Sequence, residues 1–328
     1  MGDIYKQIPS PIGWERATNA FERWPGEGLI SSSLFIVSSS IPRNLSLQTQ
    51  RSTMATPWKP IEGTVDEILS QDPRPFDAMR AGKIPAVIVR RALPPDHCAA
   101  LVDRFYDRDL IYDPLSRDDG KPQRVDIGTS LGRYANDPER FFEHSTQTRE
   151  RFATLFDDYD NPVETLFATL AKLLPGKRVM NAQEPDGRLY GPSIFRIYHE
   201  GLGHQPHYDS VSKRSKRYEY AVSRFKHQYA GVVCFQNSED HEVSAQSILY
   251  RASMSSEIQP HLDGRTFHEY ADENSIERVQ IRLEPGDLYY FYSETIHEVP
   301  LVVGSKPRVV LASFIGMSED DPEVFLWS

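Results

Sequence analysis

The chain has 328 residues, of which 39% are hydrophobic and 26% charged, and its net charge is −10. That balance fits a soluble globular protein of one large or two smaller domains, and the excess of acid argues against nucleic acid as the main partner, since phosphate binding needs a basic surface. Its two cysteines, Cys98 and Cys234, cannot make a disulfide framework, and no apolar run approaches the roughly 18 residues of a membrane helix, so the expectation is a cytoplasmic protein with reduced, buried thiols.

In chain order, residues 1–56 differ from the rest. Leu29 to Thr53 holds no acid and eight serines, a composition with a transit-peptide flavour, but Asp3, Glu15, Glu22 and Glu27 precede it. The expectation is a disordered extension, and Met54 is an alternative start. Ile84 to Arg90 is a short β-rich run. Three helical stretches follow, at about His97–Tyr106, Pro138–Asp157 and Val163–Leu174, each with apolar residues at helical spacing. After Gly191 the pattern changes to strands: Ser193–Tyr198, Gln228–Gln236, Ser247–Arg251, Arg278–Leu283, Leu288–Tyr292, Val299–Val303 and Arg308–Ile315. Glu284-Pro285-Gly286-Asp287 and Gly304-Ser305-Lys306-Pro307 are turn signals between them. Helices first and many short strands afterwards predict an α+β chain ending in an antiparallel barrel or jelly roll.

Two segments interrupt the strand region. Val211 to Tyr229 carries Lys213, Arg214, Lys216, Arg217, Arg224 and Lys226 against Glu219. It reads either as a basic lid that recruits an acidic substrate or as a solvated helix whose aromatics pack on the barrel. Arg251 to Ser275 mixes Gly, His, Asp and Glu and reads as a mobile loop.

His207-Tyr208-Asp209 is the most informative run. Alternate residues of a strand share a face, so an imidazole and a carboxylate two residues apart can bind one metal. His297 can complete the face if the sheet closes on itself, and two imidazoles with one carboxylate suit Fe(II) with open positions. A second H-x-D, His261-Leu262-Asp263, is excluded by spacing. About four strands with their turns must separate the pair from the closing histidine, which needs roughly 40 residues. His207 and His297 are 90 apart, His261 and His297 only 36. Arg308 opens the apolar strand Arg-Val-Val-Leu-Ala-Ser-Phe-Ile-Gly. A buried arginine there needs a counter-charge, either a protein carboxylate or a dicarboxylate that chelates iron at its other end.

With Tyr198-x-x-Gly201, Pro206-His207-Tyr208-Asp209, Pro285-Gly286-Asp287, His297 and Gly304 leading to Arg308, the chain resembles the Fe(II)/2-oxoglutarate-dependent dioxygenase superfamily, and within it the prolyl 4-hydroxylase-like branch. Ile84 to Cys98 resembles the first strand and helix of that branch. The resemblance implies a double-stranded β-helix (jelly roll) with flanking N-terminal helices. The expected organisation is one catalytic domain over 57–328, with a helical support region at 57–190 and a jelly-roll core at 191–316. It also implies iron held by His207, Asp209 and His297, Arg308 on the distal carboxylate of 2-oxoglutarate, and Tyr198 lining the co-substrate pocket. Fe(II), 2-oxoglutarate and O2 are then required, with ascorbate as an assay additive, and succinate and CO2 are released. A tyrosine at position 198 equally suits the core of an inner strand.

Two positions depart from the pattern. Val310 stands where many relatives have a serine or threonine, and His204 where collagen-type relatives show a tyrosine. Asp209 matters for the chemistry, because related halogenases replace this carboxylate with a small residue so that chloride reaches the iron. A carboxylate here implies hydroxylation or another oxidation of a C–H bond. The lack of a peptide-binding module beside the catalytic part favours a small-molecule substrate. Two other readings remain: a jelly-roll module that binds without oxidation, and a cupin-like metalloenzyme that does not use 2-oxoglutarate.

Overall fold

A computed structural model describes residues 57–111, 124–134, 136–242 and 244–328. The expectations for residues 1–56 lie outside these. The N-terminal part holds β1 (Ile61–Gly63), α1 (Val65–Gln71), α2 (Pro75–Arg80), β2 (Ala86–Val89), α3 (Pro95–Asp107), β3 (Val125–Gly128), α4 (Leu131–Tyr134), α5 (Pro138–Leu155) and α6 (Pro162–Leu173). Then come β4 (Arg178–Asn181), β5 (Ile194–Tyr198), β6 (His204–His207), β7 (His227–Gln236), β8 (Ile248–Ser253), α7 (Gln259–Asp263) and α8 (Phe267–Glu273). The chain closes with β9 (Arg278–Gln280), β10 (Leu288–Tyr292), β11 (Thr295–Val299), β12 (Arg308–Met317) and β13 (Glu323–Trp327).

The strands form two sheets facing each other, a double-stranded β-helix. The larger runs β1-β2-β10-β7-β12-β13-β4, with β5 also pairing with β12 and β3 pairing with β5. The smaller runs β6-β11-β8-β9. Strand alternation assigns the two faces of the larger sheet. Phe195 and Ile197 of β5, Tyr229, Val233 and Phe235 of β7, and Val309 and Leu311 of β12 pack with α1, α2, α3 and α6. The opposite parity, Val232 and Cys234 of β7, Tyr289 and Phe291 of β10, and Val310 of β12, fills the space towards Leu249 and Ile281 of the smaller sheet. A sheet covered on both faces reads in sequence as continuous apolar runs, as β7 and β12 do.

The helices begin where their caps sit. Thr64 makes a capping box with Glu67 at the start of α1, and the Asn161 side chain accepts from the Val163 and Glu164 amides at the start of α6. These arrangements satisfy amides that a helix leaves without partners. In the turn before β10, Gly286 has φ +93°, and a Cβ there would lie 2.2 Å from the Leu93 carbonyl oxygen. Asp287 accepts from the Arg91 and Glu284 amides and pairs with Arg90. The Pro285-Gly286-Asp287 signal is thus a turn that fastens the second strand to the barrel.

Several expectations need correction. The strand expected at Val299–Val303 is displaced. β11 ends at Val299, Pro300 cannot donate to a ladder, and Leu301 and Val303 are exposed. Arg251–Ser275 is no simple loop, since α7 and α8 occupy it and Phe267 and Ala271 of α8 are buried with Tyr208, Tyr250 and Ile296. His261 and Asp263 lie on α7, where two residues apart do not share a face, and His261 Nδ1 is 3.0 Å from Thr266 Oγ1. The Val211–Tyr229 segment contains no α-helix, only turns, a 3-10 stretch at Ala221–Arg224 and the start of β7. Tyr220, Val222 and Phe225 are buried there against Phe141, Tyr190 and Trp327, while Tyr218 is exposed.

Candidate metal centre

The two sheets contribute different parts of one site. On the smaller sheet His297 of β11 stands directly across from His207 of β6, with ring centroids 4.2 Å apart. β6 ends at His207, so Asp209 is not on the strand as alternation alone suggests. It follows the strand end, where its amide donates to the Ser293 carbonyl at 2.7 Å and the Ser293 hydroxyl donates to the Asp209 carbonyl at 3.0 Å. Those bonds pin it to the turn between β10 and β11, and the Asp209 carboxylate still joins the histidines while Tyr208 turns to the cluster around α8.

Asp209 Oδ2 lies 3.6 Å from His207 Nε2 and 3.5 Å from His297 Nε2. Both histidines have Nδ1 against a backbone carbonyl, Gln205 O at 2.7 Å and Thr295 O at 2.8 Å. Donation by Nδ1–H leaves each Nε2 lone pair facing the carboxylate, the tautomer a metal ligand needs. One ion about 2 Å from each atom can bridge such separations, and the three ligands would lie on one side of it. Among the described residues His207, Asp209 and His297 are the cluster with this arrangement. Burial pushes the His207 imidazole down, and the neighbouring His297 adds to that. Burial would raise the Asp209 carboxyl, but hydrogen bonding and charge from His207 and His297 outweigh it and hold it well below the usual carboxylate range. Neutral imidazole and ionised carboxylate are the forms that bind metal.

Two further residues touch this cluster. Arg214 donates to the outer oxygen of Asp209, Oδ1, at 3.2 Å and to the Tyr208 carbonyl at 2.7 Å. It leaves Oδ2 to the histidines. The His204 ring lies against His207 with centroids 3.6 Å apart, and burial, reinforced by His207, pushes it down to about 2. His204 is half-buried beside the candidate metal ligands.

The larger sheet carries the charge. Arg308 of β12 pairs in register with Tyr198 of β5, and strand parity turns both inward, with Arg196 two residues before Tyr198. Arg308, Tyr198, Tyr289, Ser247 and Val310 line the same cavity as the three candidate metal ligands. Arg308 is 3% exposed, and none of the ion pairs among the described residues involves it. A buried guanidinium without a carboxylate is costly, and a dicarboxylate reaching in from the metal side would meet it, so the residues present fit 2-oxoglutarate. Tyr198 lies between cations, its ring centroid 5.6 Å from the Arg308 guanidinium carbon and 5.5 Å from that of Arg124. Burial alone would raise its hydroxyl, but Arg196, Arg124 and Arg308 outweigh that and lower it. At Val310 the cavity has no hydroxyl. Tyr289, whose hydroxyl donates to Ser247 Oγ at 2.9 Å, offers one from the neighbouring wall.

Sequence reading did not find Arg196 or the Tyr289–Ser247 pair, and it named Arg214 only as one member of the basic segment. Arg196 was accessible from the same parity that turns Tyr198 inward. Arg214 was submerged in a basic run whose members scatter to separate partners: Lys213 to Glu294, Arg224 to Asp321 and Glu323, and Lys226 to Asp320.

No helix among the described residues is long and apolar enough to cross a membrane. Of known structures, an N-substituted L-amino acid dioxygenase from Burkholderia ambifaria AMMD superposes with a TM-score of 0.51 at 14% identity, covering 77% of this chain and 90% of that one. The same enzyme in complex with alpha-KG gives 0.49 at 16% identity, again over 77% and 90%. HygX from Streptomyces hygroscopicus with nickel and 2-oxoglutarate bound gives 0.43 at 10% identity, over 77% and 88%. At such identities the first likeness speaks for the fold, the double-stranded β-helix. No curated protein matches the chain in sequence. The family described as carrier-protein-independent halogenase WelO5 matches residues 61–328. The chain belongs to that family, and it is an Fe(II)- and 2-oxoglutarate-dependent oxygenase that uses O2.

Proposed function

We propose that this enzyme oxygenates, most simply hydroxylates, a C–H bond of a small molecule, with His207, Asp209 and His297 as the iron ligands. Arg308 holds the distal carboxylate of 2-oxoglutarate, Tyr198 walls the same pocket, and the Tyr289–Ser247 hydroxyls stand in for the one missing at Val310. Residues 57–328 act as the single catalytic domain. The bound iron and 2-oxoglutarate supply the oxidising power, with release of succinate and CO2. The protein fixes the ligands, excludes water and holds the target carbon in place.

The observation that carries the choice of oxygenation is Asp209. Although the family carries the halogenase description, this chain keeps a carboxylate with Oδ2 about equidistant from both imidazoles, at 3.6 and 3.5 Å. Held by His207, Asp209 and His297, a six-coordinate ion would keep three positions for 2-oxoglutarate and O2, and Asp209 would fill the one that a halide needs. The motif likeness to the prolyl 4-hydroxylase-like branch rests on the residues quoted above, and a protein substrate is not part of this proposal.

The test is a screen of candidate small molecules for 2-oxoglutarate-dependent succinate release in 0.1 M chloride, with product masses read under 18O2. A product heavier by one labelled oxygen supports the reading. A chlorinated product overturns it.

A further inference from the structure

The basic residues around the centre are not arranged as the sequence suggests. Beside the metal cluster lies a groove of about 500 Å³ that shares Arg196, His204, Asp209 and Phe314 with the cavity of the candidate ligands. Five arginines line this groove: Arg124, Arg133, Arg196, Arg214 and Arg217. Only two of them come from the basic segment after the metal pair. Arg124 precedes β3, Arg133 lies on α4 and Arg196 is on β5. The carboxylates in the lining are Asp126 and Asp209, in a protein whose net charge is −10.

Loading the centre does not cancel this charge. A divalent iron, a doubly charged 2-oxoglutarate, Asp209 and Arg308 would neutralise one another, which leaves the five guanidinium groups with Asp126 as their remaining carboxylate among the described lining residues. That carboxylate is already engaged, accepting from Arg124 at 2.7 and 3.0 Å with Arg133 at 3.7 Å. Arg217 is turned to a neutral acceptor, the Gly132 carbonyl, at 3.4 Å. Two buried donors in the lining, Arg196 Nε and Trp327 Nε1, have no hydrogen-bond partner among the described residues. Buried donors without acceptors are costly, and guanidinium forks match carboxylate and phosphate oxygens in pairs. Leu131, Val211, Phe314 and Trp327 give the groove an apolar side.

We propose that this groove is the substrate site and that the substrate is a small molecule bearing a carboxylate or phosphate on an apolar body. The Arg196–Arg217 wall binds the anion while the apolar part points at the metal cluster. The inference rests on the functional reading above and names the substrate class for it. Arg196 and Arg217 are then specificity-determining residues, and the acid group is read across the groove from Asp209.

The experiment is calorimetric titration of the full chain, loaded anaerobically with Mn(II) and saturating 2-oxoglutarate, with benzoate, inorganic phosphate and, as the uncharged control, benzamide. Saturable one-to-one binding of benzoate or phosphate is expected, with benzamide binding at least tenfold more weakly. Arg217→Gln and Arg196→Gln should each weaken the anion about tenfold or more. Whichever anion binds more tightly identifies the acid. Equal binding of benzamide, no saturable anion binding, or binding unchanged in both variants overturns the proposal. If 2-oxoglutarate binds and neither anion does, this inference falls and the functional reading stands. If 2-oxoglutarate itself does not bind, both fall.

Discussion

Replacing Arg308 with Met separates a co-substrate clamp from a structural ion pair. Arg308 is 3% exposed and, among the described residues, takes part in no ion pair. Were it the partner of a buried protein carboxylate, its loss would cost about 3–5 kcal/mol of stability. Without one, Arg308→Met removes a buried cation that no described carboxylate neutralises, so the ligand-free protein should be as stable as wild type or more so. The loss appears on adding 2-oxoglutarate. Truncating one side of a buried charge pair costs about 3 kcal/mol, roughly a hundredfold in Kd. At a concentration about 100 times the wild-type Kd, 2-oxoglutarate stabilises wild type by about 2.7 kcal/mol. At roughly 2–4 °C per kcal/mol for a domain of this size, Tm rises about 5–10 °C. In the variant the same concentration only equals Kd, the gain is about 0.4 kcal/mol, and Tm moves about 1 °C. Scanning calorimetry with anaerobic Mn(II) reads both quantities. A variant destabilised by several kcal/mol without ligand, or one that keeps the full 2-oxoglutarate shift, refutes the assignment of Arg308.

Asp209→Gly should weaken metal binding yet keep both histidines, and by opening a coordination position it should allow chloride into the product, visible by mass spectrometry. Arg214→Gln frees Asp209 Oδ1, and Mn(II) affinity measured by electron paramagnetic resonance should fall roughly tenfold. Gly286→Ala must place a Cβ 2.2 Å from the Leu93 carbonyl at φ +93°. Urea unfolding should show a loss of at least about 2 kcal/mol. Burial pushes the thiols of Cys98 and Cys234 up to about 12. Because their pKa in the unfolded chain is lower, near 8.5, their contribution to stability is intact below that pH and declines as pH rises beyond it. Cys98→Ala/Cys234→Ala should flatten the alkaline limb of a stability–pH curve.

How much was legible depended on whether local periodicity or distant pairing decided the structure. The apolar strand that Arg308 opens marked it as a buried cation in need of a counter-charge, and the 90-residue spacing separated His207 from the His261 decoy. The helical spacing of Leu166, Leu170 and Leu173 marked α6 to within one residue at each end. Short strands such as β4 were not legible, because Arg178–Asn181 is a strand only through its parallel partner Glu323–Trp327. α7 and α8 were missed because a polar segment gave no periodic face beyond Phe267 and Ala271. The charges of 211–229 carried no address. Which of them meet Asp209, Glu294 or Glu323 follows from the fold, and Arg196, the most telling cation of the groove, lies outside that run.

Anaerobic titration of Fe(II) and 2-oxoglutarate into the metal-free protein, followed by visible absorbance, tests the central claim most directly. The account predicts a weak charge-transfer band that saturates at one equivalent of each, is absent in His207→Ala, and needs far more 2-oxoglutarate in Arg308→Met. A wild-type protein that shows no band and forms no succinate from 2-oxoglutarate would contradict it.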